Sequence, residues 1–463
     1  MIETKKGLFA GPSIAIDVTD APTRKRRGCV SCQIGKHIRF STEGLESYCF
    51  TNWEPIVYDA LVVAAAVEFG DRTQRRSALK WDRHIELCIP VHDPDRWNEI
   101  KVSDALHNAL DFLTGDRWQI TFRKRSRPSD TPQQQRFELP AGITSVIPYS
   151  DGLDSRAAAG LMANELGDRL IRVRLGSKSF DANSMSRSRH PFTSVPYHIR
   201  SGEGEFVESS VRSRGFKFTL IGGLAAYLAK ANTIIVPESG QGSLGPALVT
   251  VGQAYEDYRS HPLFTARMEK FIAALLDHQV QFQFPRIWST KGETLAKFVA
   301  ECEPSGWADT LSCWQQNRQV SVDKKRRQCG ICAACMLRRM SIHAAGLTEP
   351  RQNYVWEDLA SRSFDEGAAP SFPKEKITKK LREYAIAGVL HLDHLAGLLM
   401  SPANARTLDL NSFQLSRSLG LPELDVQSNL NRLLTQHESE WKDFVHSLGQ
   451  NSFVANWAIY ASL

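Results

Sequence analysis

The chain has 463 residues, too many for one small core, so two or three domains are expected. Hydrophobic residues make up 42% and charged residues 23%, as in a globular protein rather than a disordered or fibrous one. A net charge of +6 admits phosphate-bearing partners without demanding nucleic acid, and no apolar run of about 18 residues is present to cross a membrane.

The first hundred residues read as mixed α and β. Residues 58–69 (YDALVVAAAVEF) predict a helix. Residues 84–91 and 118–123 predict strands, with a helix over 102–113 between them. A polar, proline-bearing stretch over 124–135 then divides the chain. Beyond it the pattern becomes strand, turn, helix. Residues 143–149 (ITSVIPY), 170–175 and 233–236 predict strands. Residues 155–166, 218–231, 264–277 and 291–300 predict helices. Such alternation implies a mostly parallel, doubly wound sheet, which binds ligands at the carboxyl ends of its strands. From about residue 346 the reading is helical, chiefly over 375–400 and 423–446, where Trp441 belongs to a core, as does Trp457 beyond them. The expected organisation is an N-terminal α+β domain over 1–135, an α/β domain over 136–346 and a helical region over 347–463.

Two motifs carry chemistry. Ser150, Asp151, Gly152, Leu153, Asp154 and Ser155 sit between the strand at 143–149 and the helix after it. A helix N-terminus leaves backbone N–H groups without partners and adds partial positive charge, so it suits a phosphate. Gly152 would let the backbone come close at positive φ. Ser150 and Ser155 would add hydroxyls, and Asp154 would cap the helix or hold Mg2+. The plain alternative is a turn in which Ser, Asp and Gly serve local needs.

The second motif is Cys329, Cys332 and Cys335, spaced as one tight knuckle. Thiolates suit a closed tetrahedral zinc site. Cys313 is the nearest fourth ligand, with Cys302 and His343 as weaker choices. An iron–sulfur cluster also takes four cysteines, and reduced thiols are a further alternative. Lys324, Lys325, Arg326, Arg327, Arg338 and Arg339 would offset the thiolate charge and could reach phosphates. Cys29 and Cys32, with His37 and Cys49, could form a second site, but a lone Cys-x-x-Cys reads as ordinary thiols. Nine cysteines and an N-terminus without the apolar core of a secretory signal fit metal binding in the cytoplasm. No role is assigned to His190 or His198.

The loop resembles the PP-loop of the ATP pyrophosphatases, usually Ser-Gly-Gly-x-Asp-Ser, with Asp151 in place of the first glycine. A carboxylate there calls for Mg2+ or a nearby cation, or is itself a metal ligand. Thr310-x-Ser312-Cys313 followed by Cys329-Gly-x-Cys332-x-x-Cys335-x-x-Arg338 is similar to the zinc motif of 7-cyano-7-deazaguanine synthase, a PP-loop family. The resemblance extends to residues 211–220, placing Arg214 on phosphate, and to 285–293, placing Lys291 in the site. It covers roughly 140–346. The family's substrate stretch is replaced here by residues 238–245 (ESGQGSLG) and 258–262. Long chains with extra flanking domains resemble the synthase-like component of the bacterial anti-phage Qat system.

The resemblance implies an adenine nucleotide alpha hydrolase-like fold and an enzyme using ATP, Mg2+ and Zn2+. A 7-deazaguanine carboxylate would attack the α-phosphorus of ATP, pyrophosphate would leave, and an amine would expel AMP. No side-chain nucleophile is needed. The amine would come from a partner protein of the same defence system, making a C–N bond-forming ligase. Alternatives are nitrile synthesis from ammonia in queuosine-type biosynthesis, and a non-catalytic nucleotide-binding assembly module.

Overall fold

The computed structural model describes residues 13–21, 26–41, 48, 54–76, 82–126, 139–175, 192, 195–202, 204–208, 211–250, 256–302, 306–313, 321–323 and 325–462. Cys49, His190 and Lys324 lie outside these residues. The principal elements, in chain order, begin with β1 (Ser13–Thr19), β2 (Val30–Gln33), α1 (Pro55–Thr73), β3 (His84–Val91), α2 (Ile100–Thr114) and β4 (Arg117–Lys124). Next come β5 (Ser145–Tyr149), α3 (Leu153–Leu166), β6 (Leu170–Arg174), α4 (Arg214–Ala229), β7 (Thr233–Ile235), α5 (Pro262–Leu276) and β8 (Gln281–Gln283). The remainder is α6 (Lys291–Glu301), α7 (Ala333–Ala344), α8 (Lys379–Ala396), α9 (Ala405–Leu419) and α10 (Glu423–Leu448). No helix among the described residues is long and apolar enough to cross a membrane.

The chain forms two compact units. The first comprises residues 1–149, 166–236 and 257–283. It holds two four-stranded sheets, ordered β2-β1-β3-β4 and β8-β7-β5-β6. Every neighbouring pair in the first sheet is parallel. The expected N-terminal α+β arrangement is therefore corrected to alternating α/β. The reason lies in β1: once SIAIDVT is a strand, α1 and α2 become crossovers between parallel neighbours.

The second sheet is also parallel throughout. Ser145 lies opposite both Leu170 and Thr233. The chain steps from β5 to β6 on one side, then returns to β7 on the other. The strand order therefore reverses at β5, the place where open α/β sheets take their ligands. The chain leaving β5 is the Ser150 loop, and the chain leaving β7 is the segment from Pro237.

The second unit comprises residues 150–165, 237–256 and 284–463. One of its cores joins Leu153 and Ala157 of α3 to Leu295 and Phe298 of α6, with Trp307 and Ile342. Another packs Val426, Leu430 and Leu433 of α10 against Leu244, Ile287 and Leu395. Trp441 is buried, and its indole N–H donates to Asp393 at 2.9 Å. Residues 375–400 form a shorter helix than expected: α8 stops at Ala396 and single 3-10 turns flank it.

Candidate active site and metal centre

The first helical bond of α3 runs from the Arg156 N–H to the Gly152 carbonyl at 3.0 Å. The amides of Leu153, Asp154 and Ser155 thus precede the ladder, as at any helix start. The Ser150 and Ser155 hydroxyls lie 2.9 Å apart, and the Gly152 N–H donates to Ser150 Oγ at 3.3 Å. Gly152 is not in the left-handed region, against the expectation of a positive φ. What it supplies is room, since a Cβ there would lie 3.3 Å from Ser150 Oγ.

Lys291 is the first residue of α6, and its ammonium pairs with Asp154 Oδ2. Both side chains are largely withdrawn from solvent. Asp154 Oδ1 is buried with no hydrogen-bond partner, an orphaned oxygen of the kind a hard cation takes. Ser150, Asp154, Ser155 and Lys291 are thus brought together within the second unit, with Asp151, Gly152 and Leu153 in the same loop. Arg214 is carried by the first unit, exposed in the first turn of α4, with its guanidinium 5.0 Å from the centre of the Phe218 ring.

Lys291 is held by Thr290, Glu293 and Gln241, which lie in the segments 285–293 and 238–245 but carried no assigned role in the sequence. Thr290 caps α6 in a full capping box with Glu293: Thr290 Oγ1 accepts from the Glu293 N–H at 3.0 Å, and Glu293 accepts from the Thr290 N–H at 2.8 Å. The Thr-x-x-Glu pattern was the available signal. The Lys291 N–H donates to Gln241 Oε1 at 2.8 Å. Nothing local in the sequence announces that contact.

The sulfurs of Cys313, Cys329, Cys332 and Cys335 all lie within 4.8 Å of one another, and Cys329 and Cys335 are 3.8 Å apart. A tetrahedral ion with metal–sulfur bonds of about 2.3 Å sets its sulfurs at about this spacing. The set fits a single ion rather than a cluster of several irons, which would spread its four thiolates around a larger body. Backbone N–H groups of Cys329, Cys332 and Cys335 point at the Sγ atoms of Cys313, Cys329 and Cys332 at 3.2, 3.3 and 3.4 Å. The Cys329, Cys332 and Cys335 side chains hydrogen-bonded to Cys313 pull its thiol far below the ordinary value.

Cys302 accepts from Asn164 at 3.2 Å, and His343 is exposed at the end of α7, so neither belongs to the cluster. In the first unit, burial pushes the Cys32 thiol well up, and Cys32 packs in the core.

Three of the basic residues near the cluster bond protein groups, while Lys325 and Arg326 are exposed. Arg338 is buried and donates to Thr310 Oγ1 at 2.6 Å and Glu349 at 3.1 Å. Arg339 donates to the Trp356 and Glu357 carbonyls, and Arg327 to Glu357. Arg338 in turn steadies the segment at Thr310. Next to it, the Leu311 N–H donates to the Asp151 carbonyl at 2.7 Å and the Ser312 N–H to Gln328 Oε1 at 2.8 Å.

Parallel α/β sheets, a serine-bearing helix start and four cysteines able to hold one metal ion define the class to compare. A family model described as "Queuosine biosynthesis protein QueC" matches residues 242–346. That stretch includes Lys291 and all four cysteines, and resembles QueC over that length. The Ser150 loop, Arg214 and the helices after α7 lie outside it. No curated protein and no solved structure matches the chain.

Proposed function

We propose that this protein is an ATP-dependent adenylating enzyme that activates a 7-deazaguanine carboxylate for attack by an amine. The reading rests on the Lys291–Asp154 ion pair in the first turn of α3, beside the paired hydroxyls of Ser150 and Ser155. A phosphate at this helix start meets the free amides of 153–155 and the field of the helix. Ser150 and Ser155 exchange their mutual bond for bonds to the leaving pyrophosphate. The Lys291 ammonium balances Asp154 and offsets the charge that builds on the leaving group. Asp154 Oδ1 would hold Mg2+, with Asp151 as a second oxygen ligand, and the bound ion would neutralise phosphate charge. A phosphate contact from Arg214 belongs to the same reading and rests on the resemblance alone. The substrate carboxylate attacks the α-phosphorus, and an amine then displaces AMP. Positioning of the two reactants supplies much of the rate.

The four cysteines would hold Zn2+. With four protein ligands it has no open position, so its task is to brace the 310–313 segment behind the loop. We assign the amine to a partner protein of a bacterial anti-phage system, acting in the cytoplasm. A second reading, nitrile formation from ammonia, is favoured by the description of the matching family model, queuosine biosynthesis.

Intact-mass analysis of neighbouring proteins co-expressed with this chain tests both. A mass gain matching a deazaguanine acyl group, lost with Ser155→Ala, is the expected result. A nitrile made from ammonia with no partner present supports the second reading. Failure of the purified chain to release pyrophosphate from ATP with either amine source sinks both.

A further inference from the structure

The role of the C-terminal helices is open to a direct structural argument. Glu440 and His437 lie on one face of α10, outside the residues that match the family model, and both are buried. The Thr290 hydroxyl donates to Glu440 Oε1 at 2.5 Å. Gln241 Nε2 and His437 Nδ1 are 2.7 Å apart, and His437 Nε2 lies 2.9 Å from the Leu392 carbonyl. A carbonyl only accepts, so His437 carries its proton on Nε2 and Nδ1 accepts from Gln241. That fixes the amide of Gln241 with Oε1 towards the Lys291 N–H. Burial lowers His437 to about 4, which keeps the ring neutral for this duty. The approach is tight: a Cβ on Gly292 would lie 3.0 Å from Glu440 Oε1 and 2.9 Å from Ala344 Cβ.

We infer that α10 is a positioning element for Lys291: Glu440 holds the Thr290 cap, and His437 orients Gln241, which holds the Lys291 backbone. Their bonds run to other protein groups, so they act through Lys291. They set the direction in which the Lys291 side chain leaves α6 and so its seat on Asp154. The inference rests on the assignment of Lys291 to the active site for its meaning, but its geometry is tested separately.

The test is amine labelling of the full chain with an acetylating reagent, read peptide by peptide by mass spectrometry. Lys291 should label slowly in the wild type. Thr290→Val, nearly unchanged in shape, and Glu440→Leu should each speed Lys291 labelling by about fivefold or more, the factor that losing one helix cap implies. Glu440→Gln keeps an acceptor for Thr290 and should restore the slow rate, which a mere packing role would not require. Lys217, paired with Glu68 at 2.8 Å in the first unit, reports on global unfolding and should not change. If Glu440→Leu also exposes Lys217, Thr290→Val decides. An unchanged Lys291 rate in Thr290→Val, or fast labelling in Glu440→Gln with Lys217 still protected, overturns the inference. Calorimetric titration of the wild type with Mg-ATP separates the two ideas: no binding ends the nucleotide reading, while the labelling still judges the relay.

Discussion

The backbone N–H of Leu311 donates to the carbonyl of Asp151 at 2.7 Å, and Cys313 follows two residues later. One short strap therefore joins the cysteine cluster to the Ser150 loop. A metal held there would not need to touch substrate to matter. It would fix Cys313, and through the strap it would steady the carbonyl that precedes Gly152.

Leu311→Pro removes that donor. The Leu311 side chain is 49% exposed, so the cost falls on the backbone. Losing that hydrogen bond should cost about 0.5–1.5 kcal/mol of loop order, a fall of roughly two- to twelvefold in pyrophosphate release. Leu311→Ala should behave as wild type, and metal content should stay the same in both. Equal rates for the proline and alanine variants would show that the strap does not set the loop.

Elemental analysis should find one zinc per chain. Cys335→Ser should lower metal affinity by more than the roughly 10–100-fold that loss of an outer partner costs. Cys302→Ser should leave the metal in place, because Cys302 lies outside the cluster. Stripping the metal with a chelator should lower the melting temperature and pyrophosphate release together. Full activity in metal-free protein would contradict the bracing role.

Lys291→Met should slow pyrophosphate release by about a hundredfold or more, as for loss of one preorganised charge donor. It also leaves Asp154 unpaired in a largely buried place, so a lower melting temperature is expected. Asp154→Asn should restore much of the stability to the double variant, but not the rate. Recovery of both would show that the pair is structural only.

Burial raises Glu440 from 4.5 to about 7. An acid raised on folding holds its proton longer in the folded chain. Its share of stability is therefore full below about pH 4.5 and is lost as pH rises towards 7. That loss should reach about 3 kcal/mol, and Glu440→Gln should abolish it. His437, lowered from 6.5 to about 4, works in the opposite direction: its share is lost as pH falls from 6.5 towards 4. In Glu440→Gln the opposing Glu440 trend is gone, so stability should rise more steeply from pH 4 to 7 than in the wild type. Parallel denaturant-derived stability curves for the two proteins would rule this out.

Local patterns explain which parts were legible beforehand. The strand at 84–91 has the expected bounds, and α2, β4 and α6 differ from expectation by two residues or fewer at either end. Period and propensity act within a window of residues, so such elements can be read from sequence. The strands β1 and β2 and the short β8 were not anticipated, and α9 was not marked off within the region read as helical. β1 and β8 are only seven and three residues long and owe their state to parallel neighbours far along the chain. Missing β1 turned an alternating unit into an apparent α+β one.

At the candidate site the division is sharper. The spacing of Cys329, Cys332 and Cys335 brings three sulfurs together through one tight turn and the start of α7, and a Ser-Asp-Gly turn before an alanine-rich helix makes a helix start whatever surrounds it. Sequence alone therefore determined the knuckle and the loop, because both are built from bonds between near neighbours. Only the tertiary structure decided that Lys291 meets Asp154, that Leu311 ties the knuckle to the loop, and that Glu440 lies behind Thr290. Those contacts span between 137 and 160 positions, and no residue carries a local mark of a partner that far away.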